Sequence, residues 1–124
     1  MLSLRCVVVD TTDPGALAAF WSAVLRVPLR HDWGEYVILA SDPQMSFQYV
    51  GRPTEGKNRL HIDLQVDGET DVEAEIERLL DLGATRVASV NMRGVAWVVL
   101  ADPDGNEFCV FTEFSPEILE PRTS

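Results

Sequence analysis

The sequence predicts an α+β fold built from two βαβββ modules, and three observations carry that prediction. The order strand, helix, three strands occurs twice along the chain, which is an internal repeat. Within it, strand-like segments alternate apolar and polar residues, the pattern of sheets packed on one side only. Each of the two helical segments follows a capping residue and repeats its apolar side chains at helical spacing. With 124 residues, 46% of them hydrophobic, the chain is long enough for one domain with a core of its own and needs no disulfide or structural metal. The first module runs over about residues 3–51, the second over about 59–113, and 114–124 form a tail.

Leu4 to Asp10, with Val7, Val8 and Val9 behind Cys6, suits a strand buried on both faces or nearly so. Asp13 is placed to cap the following helix and Pro14 to sit in its first turn, while Leu17, Phe20, Trp21, Val24 and Leu25 form its apolar stripe. Aromatic residues at that spacing belong to the core. Pro28 blocks continuation, and strands at about Leu29 to Trp33 and Glu35 to Ala40 turn at Gly34. After Asp42-Pro43, the strand Met45 to Val50 sets Met45, Phe47 and Tyr49 on one face and Gln44, Ser46 and Gln48 on the other. Gly51 to Asn58 is the joint between the halves.

The second half opens on Leu60-His61-Ile62-Asp63-Leu64-Gln65-Val66, in which alternation assigns every residue to a face. Leu60, Ile62, Leu64 and Val66 point to the core. His61, Asp63 and Gln65 point the other way, to water or to a polar cavity. Thr70-Asp71-Val72-Glu73 has the spacing of a capping box, Val72, Ile76, Leu79 and Leu80 form a buried stripe, and Gly83 ends the helix. Strands at about Thr85 to Val90 and Val95 to Ala101 join near Arg93-Gly94. Asp102-Pro103-Asp104-Gly105 is a hairpin turn into the strand Asn106 to Phe111, which sets Phe108 and Val110 against Glu107, Cys109 and Phe111. From Ser115 the chain is rich in proline and charge and is read as frayed. Cys6 and His61 both begin the first strand of a half, and Gln48 and Cys109 both lie in the last, so these four are expected as equivalent pairs on the polar face.

Ten basic against twenty acidic residues give a net charge of −10, which opposes binding to a polyphosphate backbone and excludes nucleic acid as the natural partner. The same charge favours cationic small molecules. No run approaches the roughly 18 apolar residues of a membrane span, and no signal-peptide pattern opens the chain, so a soluble, cytoplasmic protein is expected. Two cysteines, Cys6 and Cys109, are too few for a disulfide scaffold.

Asp13 followed by Ala19-Phe20-Trp21, then Leu60-His61-Ile62-Asp63-Leu64, then Leu82-Gly83-Ala84-Thr85, then Trp97 through Phe108 with its Asp102-Pro103-Asp104-Gly105-Asn106 core, occur in this order. On these residues the chain resembles the vicinal oxygen chelate superfamily, the glyoxalase, bleomycin-resistance and extradiol-dioxygenase group, and in particular its small glyoxalase-like domains. The resemblance covers Leu4 to Glu113. It implies paired βαβββ modules whose mixed sheet curves into a cup, a ligand site inside the cup, and a homodimer. In metal-dependent relatives one ion is held by a side chain from the first and last strand of each module; by position these are Cys6, Gln48, His61 and Cys109 here. Only His61 matches the usual His and Glu pattern, and both carboxylates are missing, so a Ni, Fe or Mg centre is not favoured.

Three functional readings follow. The favoured one is a glyoxalase-like small-molecule-binding protein without the usual metal centre, its ligand held around His61 with Gln48, Ser46, Trp33, Tyr36, Trp97 and Phe111 as candidate contacts. The second is a metal-independent isomerase, epimerase or lyase with His61 or Asp63 as base and Gln48 as oxyanion donor. The third is a metal-dependent lyase or dioxygenase-type enzyme with an atypical Cys/His site, for which zinc suits the thiolates of Cys6 and Cys109. Against these stand the bland alternatives: buried cysteines acting as small hydrophobes, strand aromatics packing in a core, and a histidine hydrogen-bonded to Asp63, Gln48 or water.

Overall fold

The computed structural model describes residues 1–112; the tail expected at 114–124 lies outside them. The chain forms two compact units that divide between Lys57 and Asn58. In the first, β1 (Val7–Thr11), α1 (Pro14–Leu25), β2 (Leu29–Asp32), β3 (Tyr36–Leu39) and β4 (Met45–Tyr49) follow in order. The sheet order is β1-β4-β3-β2, with β1 parallel to β4 and the other pairs antiparallel. Asp13 caps α1 as expected, its carboxylate accepting from the Ala16 amide at 3.1 Å, and Pro14 occupies the first helical position. Leu17, Phe20, Trp21 and Val24 are buried, with Phe20 and Trp21 edge to face at 5.4 Å, so the aromatic stripe is core. Beneath α1, which contacts β3 and β4, lie Val37, Leu39, Met45 and Phe47.

One expectation fails in β1. The strand begins at Val7 rather than Leu4, and Val8 is 44% exposed, so it is not buried on both faces. Three consecutive valines hide the alternation that the fold imposes, because α1 covers one face of this sheet.

The second unit repeats the first: β5 (Ile62–Gln65), α2 (Val72–Leu82), β6 (Thr85–Met92), β7 (Val95–Ala101) and β8 (Glu107–Phe111), in sheet order β5-β8-β7-β6 with β5 parallel to β8. Ile76 and Leu79 of α2 are buried, as are Val98, Leu100, Phe108 and Val110. Gly83 ends the helix at φ 121° with its amide on the Leu80 carbonyl, 3.1 Å away. Between β6 and β7, Arg93 and Gly94 both take positive φ, 54° and 78°, as a two-residue hairpin requires. Asp102 is 4% exposed and holds the next turn from inside: its Oδ1 accepts from the Asp104 and Asn106 amides at 3.0 and 2.9 Å, while the Gly105 amide donates to its carbonyl at 2.9 Å.

Two details differ from expectation. The cap of α2 is Asp71, which accepts from the Ala74 amide at 3.2 Å, because the hydroxyl of Thr70 is already bonded to Asp67 at 2.6 Å. Leu60, expected in the core, is 86% exposed. The ladder with β8 starts only at Ile62, opposite Phe108, and ahead of it the Asn58 side chain takes over the pairing. Its amide nitrogen donates to the carbonyls of Leu60 and Glu107 at 2.6 and 3.0 Å, and its Oδ1 accepts from the Glu107 amide at 2.8 Å.

The parallel ladders also set which residues of the modules correspond. Val7 lies opposite Met45 and Ile62 opposite Phe108, each the first ladder pair of its unit, and four residues further on Thr11, the last of β1, and Val66, just past β5, are both buried. Cys6 therefore corresponds to His61, as expected. Cys109, however, corresponds to Ser46, and Gln48 to Phe111. The expected pairing of Gln48 with Cys109 is off by two residues, a slip that alternation cannot detect because it keeps every side chain on its face.

Candidate functional site

The far face of the second sheet, opposite Phe108 and Val110, gathers the chemistry of that unit. His61 and Asp63 emerge there side by side, with His61 Nε2 3.1 Å from Asp63 Oδ1 and the side chains 44% and 51% exposed. Cys109, 8% exposed, lies directly across the ladder from Asp63, and Val99 lies beyond it. One ligand atom from each of His61, Asp63 and Cys109 falls within 4.8 Å of the others. The next row across the sheet runs Gln65, Phe111, Trp97 and Val90. Trp97 and Phe111 stack with centroids 5.6 Å apart and planes at 29°, both half-buried, so a polar corner adjoins an aromatic platform.

The corresponding corner of the first unit is closed. Ser46 is fully buried and its hydroxyl meets the Cys6 thiol at 2.9 Å. Gln48 is exposed and lies across from Asp10 and Tyr36. Trp33 is 63% exposed, stacks on the His31 imidazole at 4.9 Å and stands 6.5 Å from Tyr36. His31 was not among the expected site residues, although its position two residues before Trp33 in the strand expected over Leu29 to Trp33 is the signal that would have found it. The structure thus groups Cys6, Trp33, Tyr36, Ser46 and Gln48 in the first unit, and His61, Asp63, Trp97, Cys109 and Phe111 in the second.

Asp63, rather than Gln48, completes the strongest donor set, and it stands two residues after His61 in the same strand. The set suits some ions and not others. A tetrahedral ion with bonds of roughly 2.0–2.3 Å holds its ligand atoms roughly 3.3–3.8 Å apart, so small side-chain movements would let imidazole, carboxylate and thiolate share zinc. Manganese and magnesium favour oxygen donors, of which Asp63 is the one in this trio, and the thiol fits them poorly.

The profile of the glyoxalase-like domain matches residues 6–111, both modules from Cys6 to the end of β8. The chain belongs to the glyoxalase-like domain family. This places it in the vicinal oxygen chelate superfamily, and solved structures agree. A glyoxalase/bleomycin resistance protein/dioxygenase family enzyme from Burkholderia phytofirmans PsJN aligns over 89% of this chain and 98% of its own, at 20% identity and TM-score 0.77. A glyoxalase-related enzyme from Fulvimarina pelagi aligns over 94% and 90%, at 18% identity and TM-score 0.75. A variant of the fosfomycin resistance protein FosX from Listeria monocytogenes, solved with Mn(II) and 1S,2S-dihydroxypropylphosphonic acid, aligns over 97% of both chains at 15% identity and TM-score 0.77. At these identities the likeness is one of fold. Comparison with curated proteins gave no match. Among the described residues of this glyoxalase-like domain, no helix is long and apolar enough to cross a membrane.

Proposed function

We propose that this glyoxalase-like domain binds a small molecule on the far face of its second sheet, without the His and Glu metal centre of its metal-dependent relatives. The observation that carries the reading is the His61–Asp63 contact at 3.1 Å, set beside Cys109 and the Trp97–Phe111 stack on one face. Convergent polar groups next to an apolar platform are what small-molecule sites are made of. The arrangement also supports proton transfer: Asp63 orients the His61 imidazole, which could then serve as the base of a metal-independent isomerase or lyase. Thermal scanning against a metabolite and drug library tests the binding, since stabilisation by a true ligand rises with its concentration over Kd and disappears in His61→Ala. A ligand that stabilises His61→Ala as well as the parent protein would place the site elsewhere.

One observation favours a second reading. The three donors within 4.8 Å fit zinc, held by His61, Asp63 and Cys109 with a position left for substrate. When bound, zinc supplies Lewis-acid polarisation of a substrate oxygen. Elemental analysis with thiol titration decides: stoichiometric zinc that is lost in both His61→Ala and Cys109→Ser establishes the metal reading, and its absence from protein prepared with zinc present rejects it.

The reading includes a homodimer in the cytoplasm. Neither Cys6 nor Cys109 is in a disulfide, which suits a reducing compartment, and β6 ends its sheet as an edge strand with Val87 and Met92 exposed, which a second copy would cover. Light scattering at micromolar concentration tests the dimer.

A further inference from the structure

The charge on the far face of the second sheet is one-sided. Strands β5, β7 and β8 contain no lysine or arginine, while Asp63 and Glu107 supply two carboxylates. Glu107 shares the face of Cys109 and Phe111 by alternation and is half-buried opposite Ala101. The sheet's one arginine, Arg86, is on β6, the strand farthest from Asp63 in the order β5-β8-β7-β6. An anionic ligand such as a phosphonate would meet these two carboxylates with no lysine or arginine on β5, β7 or β8 to offset them; His61, 3.1 Å from Asp63, is the neighbour that carries positive charge when protonated.

The aromatic row lies one register step from the carboxylate row. Trp97 and Phe111 align with Gln65, and Asp63 aligns with Cys109, so the stacked rings and the Asp63 carboxylate are separated by two residues of strand, roughly 7 Å. That is about the width of a fused bicyclic or tricyclic ring, and a ring lying on an aromatic face gains further when it carries positive charge. We infer that the ligand of this face is a planar aromatic cation, which stacks on Trp97 and Phe111 and turns its charged ring nitrogen toward Asp63. This inference rests on the small-molecule reading above and adds the chemical class.

The test uses three probes that share one ring: N-methylacridinium, neutral acridine and acridine-9-carboxylate, titrated at pH 8 and low salt into the full chain and followed by amide NMR shifts. The cation is expected to bind more tightly than the carboxylate by about tenfold or more, with shifts centred on β5, β7 and β8. Asp63→Asn should bring the two within about twofold while the ring still binds, and Trp97→Leu should weaken both. Asp67→Asn, an exposed carboxylate in the loop after β5 that is bonded to Glu69 and Thr70, serves as the charge control and should leave the preference intact. If the carboxylate probe binds as well as the cation, or if Asp63→Asn keeps the preference, the cationic class is wrong while the site stands. If no probe shifts these strands at millimolar concentration, the planar-cation inference falls, while the small-molecule reading of the face is decided separately by the library scan with the His61→Ala control.

Discussion

Replacing His61 with alanine should separate function from folding, and the structure sets the size of each effect. His61 is 44% exposed, its partner Asp63 is 51% exposed, and the two meet at 3.1 Å. A contact that open to water contributes about 0.2–1 kcal/mol even where both partners are charged, and the carboxylate left behind stays hydrated rather than stranded. Leu60 is 86% exposed, and Ile62 faces the core, so neither loses packing when the imidazole goes. The stability loss should therefore be at most about 1 kcal/mol, a fall in Tm of roughly 3–6 °C. Leu39→Ala provides the scale, since Leu39 is fully buried in the first unit and its truncation should cost about 2–5 kcal/mol. Urea unfolding of the three proteins, with m-values compared, measures both. Affinity for a ligand found by thermal scanning should fall by about tenfold or more in His61→Ala, as when a polar anchor of a site is removed. A loss of more than about 2 kcal/mol with ligand affinity intact would refute the reasoning and make His61 a structural histidine.

Asp102→Ala should cost about 2–4 kcal/mol in urea unfolding, because it strands two amides that the buried carboxylate now satisfies; a loss under about 0.5 kcal/mol would show that the turn holds itself. The Asp67 carboxyl sits below its ordinary value of 3.8, chiefly through the Thr70 hydroxyl and then the Glu69 amide, so Thr70→Val should raise it in an NMR titration. Since the shift is downward, its contribution to stability is present above the unfolded value and is lost as pH falls through the folded one, so any stability gap between parent and variant should close in acid. At Gly105, φ is 86° and an added Cβ would meet nothing within 4 Å, so Gly105→Ala should cost about 1–2 kcal/mol through backbone strain alone. Gly68, equally uncrowded but not at positive φ, should tolerate alanine or gain up to about 1 kcal/mol, and thermal melts distinguish the two.

Where local chemistry decides structure, the sequence is readable. Asp13-Pro14, Gly83, Arg93-Gly94 and Asp102 to Gly105 each determine their own turn or cap, and the structure follows them. The faces of Ile62, Asp63, Leu64 and Gln65 were legible for the same reason: alternation is a local property. Register is not. That Cys109 answers to Ser46 rather than Gln48 depends on how β8 and β4 slide along their parallel partners, which leaves no trace in either strand alone. Competition between neighbours hid the α2 cap, since Thr70 looks like a better cap than Asp71 until Asp67 takes its hydroxyl. Burial of Asp102 was equally hidden, because a turn aspartate reads as exposed until the chain folds around it. In the site, His61 and Asp63 could be placed on one face from sequence, but the closing of the first-unit corner by the Cys6–Ser46 contact could not.

The parallel ladders bear on how the chain is made. In each module the first strand is secured by the last: Val7 waits for Met45, and Ile62 for Phe108. A chain leaving the ribosome can form α1 and the β3–β4 hairpin from near neighbours, but β1 has no ladder until β4 has emerged, and closing that loop is the slow, entropically costly step. Once it closes, the first unit has all four strands while the second is still being synthesised. The His61 corner, by contrast, exists only after β8 joins β5, so the site is among the last parts of the described chain to be assembled.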